Sequence, residues 1–229
     1  FKTAIALFGQ NIWAQYELSL DLHLEAAETA YLCGDHGQLE LLISVAMEHT
    51  RSPIDTARIV EIKMKGLIAA EEIETAIDEG HRVLDLLSLK VPRTVKFSSG
   101  ILLVKLAFLT KKMERQSDND MPRMQDEKLL AAMRILMMLV QGGYISGNPA
   151  TPLYVMKMAE LSLRHGMAPA SSFAYPMFGA LLIALPGFID SGCKFGELAL
   201  KNMTDSNSEL HCKTLMLTNN FVLSWKNHL

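Results

Sequence analysis

The sequence predicts an all-α fold, in which antiparallel helix pairs stack side by side as a divergent α-solenoid. Three observations carry this. Apolar residues recur at three- and four-residue steps almost throughout, the period of an amphipathic helix. Helix breakers are few, 8 prolines and 14 glycines in 229 residues, so the elements run long. Candidate intra-pair turns fall at Gly34, Glu71, Gly147 and Gly187, spaced 37, 76 and 40 residues apart. The middle interval is about two periods, and two helices per period of this length describe a helical solenoid.

The elements follow in order. From Trp13 to Leu32 the apolar positions step through Tyr16, Leu20, Leu24 and Ala27. Gly34 ends the run, as glycine does where the chain must turn past a helix end. A second helix covers about Gly37 to Glu48, with Asp35 placed to cap it. Ser52 can cap a third that starts at Pro53, a favoured first-turn residue, and runs to about Ala70. A fourth spans about Ile73 to Leu89 and stops before Val91-Pro92, since a residue preceding proline avoids the helical region. "FSSGILLVKLAFLTKKM" reads as one more helix, about 97–113, and "ERQSDNDMPRMQDE" as a polar, mobile loop. Helical stretches return at about 126–145, 152–165, 170–185, 190–203 and 207–228. Three regions result: helix pairs in 1–92, an extra helix and polar loop in 93–125, and helix pairs in 126–229 that end in an unpaired helix.

The pairs resemble the tetratricopeptide repeat. That motif sets a small residue in the first helix, a glycine at the turn, and small residues five and twelve positions beyond it. Those positions hold Ala27, Gly34, Leu39 and Ala46 in the first pair, Met64, Glu71, Ala76 and Val83 in the more divergent second, and Ala180, Gly187, Gly192 and Ala199 in the last, while the pair around Gly147 departs from the pattern because "GNPATP" lengthens its turn. Small residues there let two backbones approach; a bulky one overpacks the contact by about 1–3 kcal/mol. So Ala180→Leu is expected to destabilise the C-terminal half.

A second resemblance covers most of the chain. "LEAAETAYLCGD", "GHRVLDLLSLKVP", "DEKLLAAMRIL", "LSLRHGMAPASSFAYPMFGALL", "FGELAL" and "FVLSWKNHL" look like the helical region of large multidomain signal-transduction ATPases. Those proteins join a serine/threonine-kinase-like domain, an AAA-type ATPase, this helical region, and often a GAF sensor with a histidine kinase or other output domain. The resemblance implies a non-catalytic regulatory module. It couples partner or signal binding to neighbouring domains. A first residue of Phe1 and a final helix without its partner fit a segment of a longer chain.

Composition excludes other classes. A net charge of −3 offers no basic face for nucleic acid. The longest apolar stretch, "MFGALLIALPGFI" (177–189), is interrupted by Pro186 and is shorter than the roughly 20 residues of a membrane span. Cys33, Cys193 and Cys212 form no CxxC pair, so reduced thiols in a cytoplasmic protein are expected. The phosphate-loop, dinucleotide, zincin and nucleophile-elbow motifs are missing. No enzyme activity, cofactor or metal site is therefore expected of this segment. Cys33, Asp35 and His36 cluster at the first turn, but a structural metal needs about four ligands. The methionines 133, 137, 138, 156 and 158 fall at core spacings.

What remains is the face lined by the first helix of each pair. There the register places Asp21, Glu28, Tyr31, Arg58, Glu61, Lys65, Arg134, Gln141 and Tyr144. Mixed charge with two tyrosines suits a protein or peptide partner, or neighbouring domains of the same chain. The alternative is a stand-alone peptide-binding scaffold.

Overall fold

The computed structural model describes residues 3, 9–94, 104, 106–112, 122–201, 203 and 209–226. The chain divides into two compact units, Phe1–Lys90 and Val91–Leu229. Both are helical, and the described residues contain one isolated β-bridge and no strand.

The first unit holds α1 (Tyr16–Leu32), α2 (His36–Glu48), α3 (Pro53–Ala69) and α4 (Ile73–Leu86), preceded by a 3-10 turn at Gly9–Ala14. The predicted caps are in place. The Asp35 carboxylate accepts from the Gln38 N–H at 3.1 Å, and the Ser52 hydroxyl oxygen accepts from the Asp55 N–H at 3.1 Å. Each such cap contributes about 1 kcal/mol. The largest packing interfaces of the unit join α1 to α2 and α3 to α4, and α1 also packs on α3. Leu20 and Ala27 of α1, Ile43 and Ala46 of α2, and Ile59 and Ile62 of α3 share one core.

The predicted turn residues share one backbone device. Gly34, Glu71, Gly147 and Gly187 all have positive φ, between 63° and 86°. At three of them the next residue's N–H reaches the carbonyl five positions back: Asp35 to Ala30, Glu72 to Leu67 and Asn148 to Gly143, at 2.8–2.9 Å. This is the closure that satisfies orphan carbonyls at a helix end. The fourth helix stops earlier than expected for the same reason. Ser88 turns to φ 62° and Leu89 N–H bonds Leu84 O at 2.8 Å, so α4 ends at Leu86, before Pro92 has any part in it.

An aromatic cluster ties the start of α1 to the start of α3. The Trp13 ring stacks on His49 at 4.1 Å and on His23 at 4.8 Å. The Tyr16 hydroxyl donates to Asp55 at 2.6 Å and accepts from the Arg51 N–H at 3.1 Å. Burial, then the bond to Asp55, pushes the Tyr16 phenol above its ordinary pKa.

The second unit holds α5 (Glu127–Ser146), α6 (Thr151–His165), α7 (Ser171–Ile183), α8 (Ile189–Lys201) and α9 (Glu209–Leu217). Of the helix expected over 97–113, residues 104 and 106–112 are described and are helical; the rest lies outside the described residues. α5 pairs with α6 and α7 with α8, the latter being the tightest contact in the chain. All five methionines assigned to the core are buried.

Four expectations are corrected here. First, α7 and α8 cross at Gly179 and Gly192, where a Cβ on either would stand 2.7 Å from the other's carbonyl oxygen. The small residue that matters on α7 is therefore Gly179, one position before Ala180, and Ala180 is only half-buried. Second, the last helix is not continuous. After Leu217 the chain widens into a π turn, Thr218–Val222, then a 3-10 turn, Leu223–Trp225. Thr218 and Val222 both press on Gly196 of α8, which has no side chain to oppose them.

Third, part of the expected mobile loop is fixed. Met167 N–H donates to Pro122 O at 2.7 Å and Met124 N–H to Met167 O at 2.9 Å, a short parallel bridge. Gly166, at φ 97°, makes this approach possible, because a Cβ there would run into the Pro122 carbonyl. Residues 114–121 of that loop lie outside the described residues. Fourth, the longest apolar helix is α5 rather than the stretch at 177–189. By length and composition α5 could cross a membrane, but most of it is buried inside its own unit.

Within "LSLRHGMAPASSFAY" a buried hydroxyl lock joins α6 to α7. Ser162 Oγ and Ser171 Oγ stand 2.6 Å apart, and Ser171 Oγ accepts from the Ala168 N–H at 3.0 Å. Tyr175, fully buried, bonds Ser162, and burial raises its phenol far above the usual range. Buried hydroxyls need such partners, since an orphaned one costs about 1–3 kcal/mol.

Candidate partner-binding faces

In unit 1 the predicted face residues find each other. Arg58 of α3 reaches Asp21 of α1 at 2.6 Å, and Lys65 reaches Glu28 at 2.7 Å. Both pairs are 37 residues apart, the same step that separates the turns at Gly34 and Glu71. Two helices whose matched residues keep one constant offset run parallel and in register. The pairs are half-exposed, and such ion pairs contribute about 0–1 kcal/mol each. Their effect is on register and on the chemistry of the face, because each charge is already answered. Glu61 is half-buried and engaged as well. Tyr31 packs along the core of the unit rather than standing free.

In unit 2 the same register gives a different surface. Gln141 and Tyr144 of α5 line an apolar groove of about 230 Å³. Phe173, Met177 and Ala180 of α7 form its middle, and Met216 and Phe221 its far wall. Among the described residues, no charged one lines it. Tyr144 is 67% exposed, Met216 51% and Phe221 45%, which leaves large apolar side chains in water at its rim. Phe221 belongs to the π turn, a helix irregularity frequent at functional sites. Arg134, two turns before Gln141 on α5, is half-buried and does not reach the groove.

The register found Gln141 and Tyr144 but missed Phe173, Met177, Met216 and Phe221. Phe173, Met177 and Ala180 do fall at helical steps of four and three. α7 is apolar all round, however, so its periodicity cannot separate a groove-facing stripe from a core-facing one.

The first-turn cluster has structural work. Asp35 caps α2, Cys33 is exposed at the end of α1, and His36 is exposed on the first turn of α2. Cys193 is buried, which raises its thiol pKa, and its Sγ lies 3.6 Å from Val222 O. Among the described residues, no group of three or more His, Cys, Asp or Glu could hold a metal ion. Comparison with family models, with curated proteins and with solved structures finds no match for this chain.

Proposed function

We propose that this chain is a non-catalytic helical-repeat module that binds a protein, a peptide or neighbouring domains of a longer chain. Its pairs stack in a tetratricopeptide-like manner, and its first helices carry the partner. The observation that carries the reading is the apolar groove on α5, α7 and the turn after α9, whose α5 wall, Gln141 and Tyr144, lies at positions the repeat register assigns to the partner face. The constant 37-residue offset between α1 and α3 supports repeat stacking in unit 1. Free thiols at Cys33, Cys193 and Cys212 fit a reducing, cytoplasmic setting.

The sequence blocks that resemble the helical region of signal-transduction ATPases favour a regulatory role there. Partner binding would bias the states of an adjoining ATPase or kinase by its differential affinity for them. The test is ATP turnover and output of the full-length protein with this segment present and deleted. Turnover that responds to the segment supports the reading; identical turnover and output under every condition contradicts it. The groove alone would also serve a stand-alone scaffold, and a full reading frame without an ATPase would favour that second reading.

A further inference from the structure

A second groove lies in unit 1, between α2 and α3, on residues distinct from the Asp21–Arg58 and Glu28–Lys65 pairs. It measures about 520 Å³. One wall is a single stripe of α2: His36, Glu40 and Ser44 at steps of four, then Met47. The opposite wall is Lys63, Leu67 and Ala70 of α3, at steps of four and three. Glu72 closes one end. The floor is apolar, from Leu39 and Ile43. Gly66 shapes it, because a Cβ there would collide with the end of the Leu39 side chain.

The charges in this groove do not balance. Its one lysine is taken: Lys63 bonds Glu79 at 2.8 Å, and Glu79 also holds Arg82 at 2.9 Å. Glu40 and Glu72 are exposed, and among the described residues neither forms an ion pair. Glu72 sits at the N-cap of α4 yet makes no capping bond with its side chain. Two unanswered carboxylates over an apolar floor complement a ligand that is cationic on one side and apolar on the other. We infer that the α2–α3 groove binds a basic amphipathic segment of a protein partner. Leucine-like side chains fill the floor over Leu39 and Ile43, and lysine or arginine reaches Glu40 and Glu72. Helix-in-groove recognition uses such anchors at i, i+3 and i+4. Because these residues are not those of the unit 2 groove, this inference stands or falls separately from the function proposed above.

The probe is a fluorescein-labelled helical peptide of leucine and lysine, with a leucine–glutamate counterpart, followed by anisotropy at low and raised salt. The lysine peptide is expected to bind at least about tenfold tighter at low salt, with salt closing the gap. E40Q/E72Q removes the charge without breaking a side-chain capping bond or touching the core. Ser44→Trp blocks the groove from its exposed rim. Each is expected to weaken binding about tenfold with an unchanged circular dichroism spectrum, whereas E17Q/E25Q on α1 leaves it unaltered. Equal loss in the α1 variant would mean that net charge alone attracts the peptide and would overturn the inference. Full binding by Ser44→Trp would overturn it too, by placing the peptide elsewhere. A wild-type dimer that Ser44→Trp converts to monomer would make a second copy the occupant, and the inference would again fail.

Discussion

The two units present helix faces of opposite character. In unit 1 the first helices α1 and α3 meet edge to edge, and their charges answer one another across the seam at Asp21–Arg58 and Glu28–Lys65. In unit 2 the face formed by α5, α7 and the turn after α9 has no charge among the described residues of its groove and leaves Tyr144, Met216 and Phe221 in water. Helical periodicity therefore says which positions share a face, while the residues on the neighbouring helix decide whether the face is closed or open. Opposite charges at i and i+37 close it; large apolar side chains with nothing over them leave it open.

The sharpest break between the units should come from the α7–α8 crossing. Gly179→Leu forces a side chain into backbone contact and is expected to cost about 3 kcal/mol or more, a fall of several degrees in the melting temperature. Ala180→Leu, half-buried at the groove, should cost less than about 1 kcal/mol and instead fill the groove. Equal losses in thermal denaturation would remove the one-residue correction to the register. Next is Gly166→Ala. It strains a φ of 97° and meets the Pro122 carbonyl. A loss of about 2 kcal/mol in urea unfolding is expected, within the range for backbone strain. An unchanged midpoint would show that the 122–124 bridge does not hold that turn.

The turns themselves were legible in the sequence for a physical reason. Each of these four turns holds one residue of positive φ, and glycine supplies it most cheaply. Gly34, Gly147 and Gly187 could be read from residue type; Glu71 could be found only from the 37-residue spacing, because a glutamate there accepts strain. Gly34→Ala is thus expected to lose about 1 kcal/mol, and Glu71→Gly to gain about as much. Gly34 has open space around a Cβ, so strain alone is measured. A Glu71→Gly variant no more stable than wild type would separate the two turns.

Less of the face was legible. Periodicity placed Asp21, Glu28, Arg58 and Lys65 together, but pairing depends on how one helix lies against the next. The available signal, opposite charge one repeat apart, becomes meaningful only once the period is trusted. The groove was harder still, because α7 is apolar on every side and the π turn after α9 follows from packing on Gly196. The smallest expected effect follows from exposure: a double-mutant cycle on Asp21→Ala and Arg58→Ala should give a coupling below about 1 kcal/mol. A coupling of several kcal/mol would make this pair a structural clamp.

The most direct measurement uses the methionines as reporters. Met177 and Met216 line the unit 2 groove, whereas Met64 and Met133 are fully buried. In carbon-13 methyl-methionine NMR, a neutral apolar peptide is expected to shift Met177 and Met216 together, saturably, and to leave Met64 and Met133 in place. Ala180→Arg should abolish both shifts. Unmoved Met177 and Met216 signals, or shifts that survive Ala180→Arg, would contradict an open partner face in unit 2.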